Sequence, residues 1–152
     1  MATIKELKCP VCGRSYSADE VQYTCPACGE VGTLEVLYDY QALRTQLDRD
    51  ALRNHSEQSM WRYKALLPIE GGSKVPPLRV GMTPLYDTTR LADALGLQQV
   101  WLKDDGQNPT GSLKDRASAM IVARAMEQGI QTVSTASTGN SAAALSGIGA
   151  SM

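Results

Sequence analysis

Histidine is nearly missing from this chain: His55 is the only one in 152 residues. A Cys-His or Ser-His nucleophile pair therefore finds little support. His55 stands among polar residues and reads as a solvated surface group rather than a ligand. An excess of charge is also missing. Fifteen Lys and Arg face sixteen Asp and Glu, for a formal net charge of -1. No electrostatic case for nucleic acid or an anionic membrane surface arises. No apolar run is long enough to span a bilayer, and the start, Met1-Ala2-Thr3-Ile4-Lys5-Glu6, has no apolar signal region. A cytoplasmic location is the expectation. No G-x-G-x-x-G follows a predicted strand and no G-x-x-x-x-G-K-[ST] occurs, so neither a dinucleotide site nor a P-loop is suggested.

What is present is enough for an ordered chain. Hydrophobic residues make up 43% and charged residues 20%, a globular composition with room for one domain, or a small module and part of another. The clearest chemical signal is a repeat. Cys9-Pro10-Val11-Cys12-Gly13 and Cys25-Pro26-Ala27-Cys28-Gly29 are two C-P-x-C-G knuckles with twelve residues between the pairs. Two residues between cysteines let both thiolates reach one ion, and the glycine after each pair permits a left-handed turn. Cys9, Cys12, Cys25 and Cys28 together complete a tetrahedral thiolate site of the kind structural zinc takes, with no ligand position left open for catalysis. Disulfides are the alternative, disfavoured without a signal peptide, and iron is the minor option. Arg14 to Thr24 suits a short hairpin and Val31 to Tyr38 another strand. Such a ribbon is too small to hold itself together without metal.

Three segments are expected: a ribbon over 1–38, a helix and linker arm over 39–80, and alternating strands and helices over 81–152. Asp39 to about Arg53 reads as one helix capped by Asp39, with Tyr40, Leu43, Leu47 and Ala51 on one face. Ser56 to Pro77 reads as an irregular arm anchored by aromatics. Further on, Thr89 to Leu95 suits a helix closed by Gly96, Gln99 to Lys103 a strand, Leu113 to Glu127 a helix ended by Gly129, Gln131 to Thr135 a strand, and Ser141 to Ala150 a helix. Gly147 and Gly149 read as punctuation. Strand and helix in alternation with short joints predict α/β with a parallel sheet.

Two turns stand out at expected strand ends, where open parallel sheets bind ligands. In Gln107-Asn108-Pro109-Thr110-Gly111-Ser112-Leu113-Lys114-Asp115-Arg116, Ser112 and Asp115 form a capping box, which puts Lys114 in the first helical turn. The positive end of the helix, with Arg116 near, favours a neutral amine, as a Schiff-base lysine needs. A solvent-facing lysine at a plain helix start is the other reading. The second turn, Ser137-Thr138-Gly139-Asn140-Ser141, offers hydroxyls and helix N–H groups to an anion such as a carboxylate. Its other reading is simple capping by Ser137 or Thr138.

The stretch Asn108 to Arg116 resembles the lysine motif of the threonine synthases, in the fold type II pyridoxal-phosphate family. Trp61-Arg62-Tyr63 with Leu66-Leu67-Pro68, Gly81-Met82-Thr83-Pro84-Leu85, Ser137-Thr138-Gly139-Asn140 and the N-terminal cysteine knuckles are similar to that family as well. Leu113 stands where the family usually has phenylalanine. The resemblance implies a zinc ribbon followed by the first part of a parallel-sheet pyridoxal-phosphate domain, incomplete here. It implies that Lys114 binds pyridoxal phosphate covalently and moves protons, that Asn140 bonds the ring hydroxyl oxygen, and that Ser137, Thr138, Gly139 and Ser141 hold the carboxylate of a phosphorylated amino-acid substrate. The implied reaction takes O-phosphohomoserine and water to threonine and phosphate. The family's loop for the cofactor phosphate and the partner of its pyridine nitrogen lie beyond Met152, so an N-terminal fragment, inactive by itself, is expected. Uncovered strand edges would favour self-association, which leaves a homo-oligomer open. A relative such as a cysteate synthase is the alternative within the family. A zinc-ribbon module that binds nucleic acid is the alternative outside it, disfavoured because Arg14 is the only basic residue between the cysteine pairs, against Asp19 and Glu20.

Overall fold

A computed structural model describes residues 4–152. Residues 1–3, part of the start read for a signal and of the ribbon expected over 1–38, lie outside the described residues. The chain forms two units: one takes the residues up to His55 together with Tyr63–Gly72, the other takes Ser56–Arg62 and Ser73–Met152.

The first unit is built of short antiparallel strands. Strand β1 (Ile4–Lys8) lies between β2 (Ser15–Tyr16) and β5 (Glu35–Tyr38). Lys8 sits opposite Ser15 on one side and Glu35 on the other, and the second pairing places opposite charges across the ladder. A separate ribbon pairs β3 (Thr24–Cys25) with β4 (Gly29–Thr33). The hairpin expected over Arg14 to Thr24 is therefore not the one that forms. The left-handed glycines Gly13 and Gly29 turn the chain within each knuckle, so each knuckle is itself a hairpin loop and Arg14 to Thr24 links two hairpins. Val31 to Tyr38 also splits into parts of two strands at Leu34, whose amide bonds the Tyr23 carbonyl at 2.9 Å.

The single helix expected from Asp39 to Arg53 is two, α1 (Tyr40–Arg44) and α2 (Arg49–Arg53). Asp39 caps the first as expected, accepting from Gln41 and Ala42. Asp48 interrupts the run because its carboxylate accepts from the Ala51 amide at 2.7 Å and starts a second helix. Of the expected apolar face, Leu43 is buried, while Tyr40 is 61% exposed. Ile69, in the returning segment, is the other large apolar side chain buried in this unit.

The second unit buries more. A 3-10 helix over Met60–Leu66 gives it Met60 and Trp61, both buried, so an aromatic side chain anchors the arm there. Strand β6 (Leu85–Asp87) pairs antiparallel with β7 (Trp101–Lys103), Tyr86 opposite Leu102. Between them runs α3 (Thr89–Leu95). Gly96 ends it with φ 66°, and the Leu97 and Gly96 amides bond back to Ala92 and Asp93, a Schellman closure. Helix α4 (Lys114–Glu127) ends in the same way at Gly129, with Ile130 bonding to Ala125.

Helix α5 (Asn140–Ala150) packs on α4. The seam uses small side chains: Ser118, Ala119, Val122 and Ala123 from α4 against Ala144, Leu145 and Ile148 from α5, all buried. Ala117, Met120, Ile121 and Met126 of α4 are not among the buried side chains, and Ile121 is 51% exposed. Small residues let two helices approach closely, whereas Ile121 is left exposed.

The parallel sheet is the main correction. Every strand pair among the described residues is antiparallel, and Gln131 to Thr135 makes no ladder. A strand exists only through a partner, and this segment, largely exposed, has none among the described residues. The fold is mixed α/β. No helix among the described residues is long and apolar enough to cross a membrane.

Candidate active site and metal centre

The thiol sulfurs of Cys9, Cys12, Cys25 and Cys28 lie within 4.8 Å of one another, and no disulfide joins them. A tetrahedral zinc–thiolate site has sulfurs about 3.8 Å apart, given bonds of about 2.3 Å. Cys12 and Cys25 are 3.7 Å apart, so the donor set fits such an ion. The Tyr16 hydroxyl lies 3.1 Å from the Cys25 sulfur. Donation from that hydroxyl brings the Cys25 thiol down to about 6, and neighbouring sulfurs, Cys12 first, push Cys28 up to about 12. Gly32 closes the site from below. A Cβ there would stand 2.7 Å from the Cys28 Cβ and 2.9 Å from the Cys25 Cβ, so only glycine fits. Neither Tyr16 nor Gly32 is legible as a site residue in the sequence, because both enter through pairings between strands.

The lysine turn is held by side chains rather than by a ladder. Gly111 takes φ 75° and its amide closes on the Asn108 carbonyl at 2.8 Å. Asn108 is buried. Its amide nitrogen donates to the Asp105 carbonyl and its oxygen accepts from the Gly81 N–H at 2.9 Å. The expected capping box forms by half. The Ser112 hydroxyl oxygen accepts from the Lys114 N–H at 3.1 Å, but Asp115 does not reach back to Ser112. Its fully buried carboxylate accepts from the backbone and hydroxyl of Thr110. The carboxylate thus fastens the turn to the helix it precedes, at the positive end of that helix.

A second carboxylate binds the same helix from outside. Asp105 lies in a 3-10 turn over Asp105–Gln107, just after β7. It accepts both Nε and Nη2 of Arg116 at 2.8 Å and the Thr83 hydroxyl at 2.6 Å. The fork-on-carboxylate geometry, with Thr83, holds Asp105 well below the usual carboxylate range. Lys103 donates to the Thr83 carbonyl. Gly81, with φ 84°, lies beneath the Arg116 fork, where a Cβ would be 3.0 Å from Nη1. The sequence alone does not single out Asp105 or Thr83; the Gly81-to-Leu85 stretch carries a resemblance, but no role for its threonine.

Lys114 itself is exposed on the first turn of α4. Asn140 is exposed on the first turn of α5, the helix packed against α4. At the second turn the Ser137 hydroxyl accepts from the Gly139 N–H at 3.2 Å, and no side chain caps α5. Ser137 bonds short of the helix instead of capping it, so simple capping does not describe this turn. Thr138 and Gly139 are exposed and Ser141 is partly exposed. The first N–H groups of α5 take no side-chain cap. Gly147 is not punctuation. It lies within α5, and a Cβ there would stand 2.7 Å from the Thr110 methyl. The lysine turn thus rests directly on α5.

Residues 77–152 match the model of the family described as pyridoxal-phosphate dependent enzyme. The chain is 44% identical over 144 residues to a threonine synthase of Methanosarcina acetivorans, covering 95% of this chain and 34% of that protein. It is 43% identical over 138 residues to a threonine synthase of Methanocaldococcus jannaschii, covering 91% of this chain and 33% of that one. A threonine synthase of Halalkalibacterium halodurans is 41% identical over 97 residues, 60% of this chain and 27% of that protein. The chain spans about a third of the length of the curated relatives it matches most extensively.

Proposed function

The chain belongs to the pyridoxal-phosphate dependent enzyme family, and from that premise we propose that it is part of a threonine synthase, the enzyme that as a whole converts O-phosphohomoserine and water to threonine and phosphate. The observation that carries this reading is the lysine turn. An exposed amine stands on a helix start that two carboxylates hold in place, beside a helix whose N-terminus no side chain caps.

Pyridoxal phosphate, when bound, supplies an electron sink for carbanion chemistry. The residues present suit it. Lys114 would hold the cofactor through its amine and would move protons to and from the substrate at that nitrogen. The Asn140 side-chain amide would donate to the ring hydroxyl oxygen. Ser137, Thr138, Gly139 and Ser141 take the substrate carboxylate with hydroxyls and the opening N–H groups of α5. The bonds of Asp115 to Thr110 and of Asp105 to Arg116 hold the helix start that carries the amine, which supports this reading.

At the other unit, Cys9, Cys12, Cys25 and Cys28 hold a structural zinc ion and make the small antiparallel unit a zinc ribbon. All four positions are protein ligands, so the ion stabilises and does not catalyse.

The test is capture. The purified chain is mixed with pyridoxal phosphate, reduced with borohydride and mapped by peptide mass spectrometry, with Lys114→Ala as the control. Selective adduct on Lys114 over Lys5, Lys8, Lys64, Lys74 and Lys103 is expected. Even labelling of all the lysines would sink the assignment of the cofactor lysine.

A further inference from the structure

We propose that Asp105 is a positioning residue for Lys114. Its carboxylate clamps the first turn of α4 to the segments flanking the β6–β7 pair and so sets where the amine stands. The inference rests on the reading of Lys114 as the cofactor lysine, and it names the device that aims it.

Three observations carry it. First, the clamp reaches the right turn. Arg116 is two residues past Lys114 on the same helical turn, and it meets Asp105 through two parallel N–H···O bonds at 2.8 Å each. A paired contact of this kind fixes direction as well as distance, which a single-point lysine contact would not do. Second, the anchor side is itself held. Asp105 takes a third bond, from the Thr83 hydroxyl at 2.6 Å. Its backbone carbonyl accepts from the Asn108 side chain, which in turn receives the Gly81 N–H. The carboxylate therefore cannot follow the arginine if the helix start drifts. Third, the other candidates for the role are placed elsewhere. The residue at the helix N-cap position, Leu113, makes no side-chain cap bond. The other carboxylate, Asp115, bonds within the turn, to Thr110. Asp115 shapes the turn, and Asp105 places the turn on the unit.

Gly81 fits the same reading. Its φ is 84°, and only 3.0 Å separates the point a Cβ would occupy from Arg116 Nη1, so it leaves room for the guanidinium to lie flat on the loop. A side chain there would crowd Nη1 of Arg116 and the Met60 backbone and would be strained at this φ.

The experiment compares the whole chain with Asp105→Asn and Asp105→Glu. Asparagine keeps the shape, removes the charge and can accept only one of the two N–H groups. Glutamate restores the charge at a longer reach. Two readouts are taken: amide hydrogen exchange along α4, and the selectivity of pyridoxal-phosphate capture at Lys114 over the other lysines. In Asp105→Asn, protection at Lys114 to Arg116 should fall about ten-fold or more, the scale of a lost charged hydrogen bond, and selectivity for Lys114 should fall with it. Protection at the α4–α5 seam should hold, and Asp105→Glu should regain part of both losses. Unchanged first-turn protection and capture in Asp105→Asn would overturn the proposal. So would an equal loss of protection throughout α4 and α5, which would mean ordinary stability. If the unaltered chain labels its lysines evenly, the cofactor-lysine reading fails, and first-turn protection alone then decides whether Asp105 positions this turn.

Discussion

The cysteine unit and the lysine unit place their chemistry by different means. In the first, four thiols meet at the loops of two hairpins whose strands are two to five residues long, with few large apolar side chains buried nearby. In the second, one amine is presented by a turn that Asn108, Asp105, Asp115 and Thr110 tie together, and that rests on a helix pair with a continuous small-residue seam. The cysteine unit gathers four thiols within 4.8 Å of one another around few buried apolar side chains. The lysine unit is already organised by neutral and charged hydrogen bonds around a buried core. The difference follows from what each must hold: a cation can be the centre of its own site, whereas an exposed amine must be aimed by its surroundings.

The largest effect that would sharpen this contrast is loss of a metal ligand. Zinc in small ribbons contributes on the order of 10 kcal/mol to folding, far more than so small an apolar core can supply. Cys9→Ser, or chelation of the metal, should bring amide protection across β1 to β5 close to that of an unfolded chain, while α4 and α5 keep theirs. Metal content would be read in parallel. Strands that stay protected without metal would remove the contrast.

A smaller effect tests how the lysine turn is seated. Gly147→Ala gains about 1 kcal/mol of helix propensity but drives a methyl against Thr110, whose backbone and hydroxyl are both tied to Asp115. Overpacking costs about 1–3 kcal/mol, so a net loss of up to about 2 kcal/mol is expected in thermal or denaturant unfolding of this unit. Adding Thr110→Ser removes the methyl and keeps the hydroxyl. The double variant should recover the loss, and a strictly additive result would show that the two residues do not meet.

The smallest effect is in pH. Asp105 has a depressed pKa in the folded chain. Its contribution to stability is therefore complete above the ordinary carboxylate value of about 4 and is lost as pH falls below it, since the unfolded chain takes up the proton first. First-turn protection in α4 should stay level from about pH 7 to 5 and decline below about pH 4. The cysteine unit should fail earlier on the way down, as protons compete with metal for the thiolates. The reverse order would break the comparison.

The two sites differ in how far the sequence makes them legible. The cysteine site is almost fully so, because two C-x-x-C pairs and their glycines bring their ligands together locally. The left-handed Gly13 and Gly29 follow from the same logic. Tyr16 and Gly32 do not, since cross-strand register alone brings them to the sulfurs. Periodicity places helices α3, α4 and α5, and Gly96 and Gly129 mark the ends of two of them. The long helix over 39–53 fails at Asp48, whose cap outweighs the apolar spacing. The parallel sheet fails because alternation of element types suggests neighbours but supplies no ladder partner for Gln131 to Thr135.

By itself the sequence determined what is local. The thiolate pairs, the turn before Lys114 and the ends of two helices all depend on residues a few positions apart, where side-chain reach and backbone preference decide. Only the tertiary structure decided that Asp105 would grip Arg116, that Asp115 would turn to Thr110 rather than to Ser112, and that Gly147 would receive the Thr110 methyl. Gly147 and Thr110 are far apart along the chain, and for the nearer pairs the spacing alone does not say which of several donors a carboxylate will take. Those contacts form because buried carboxylates must find donors, and because close-packed helices leave room for a methyl group only where one of them has none.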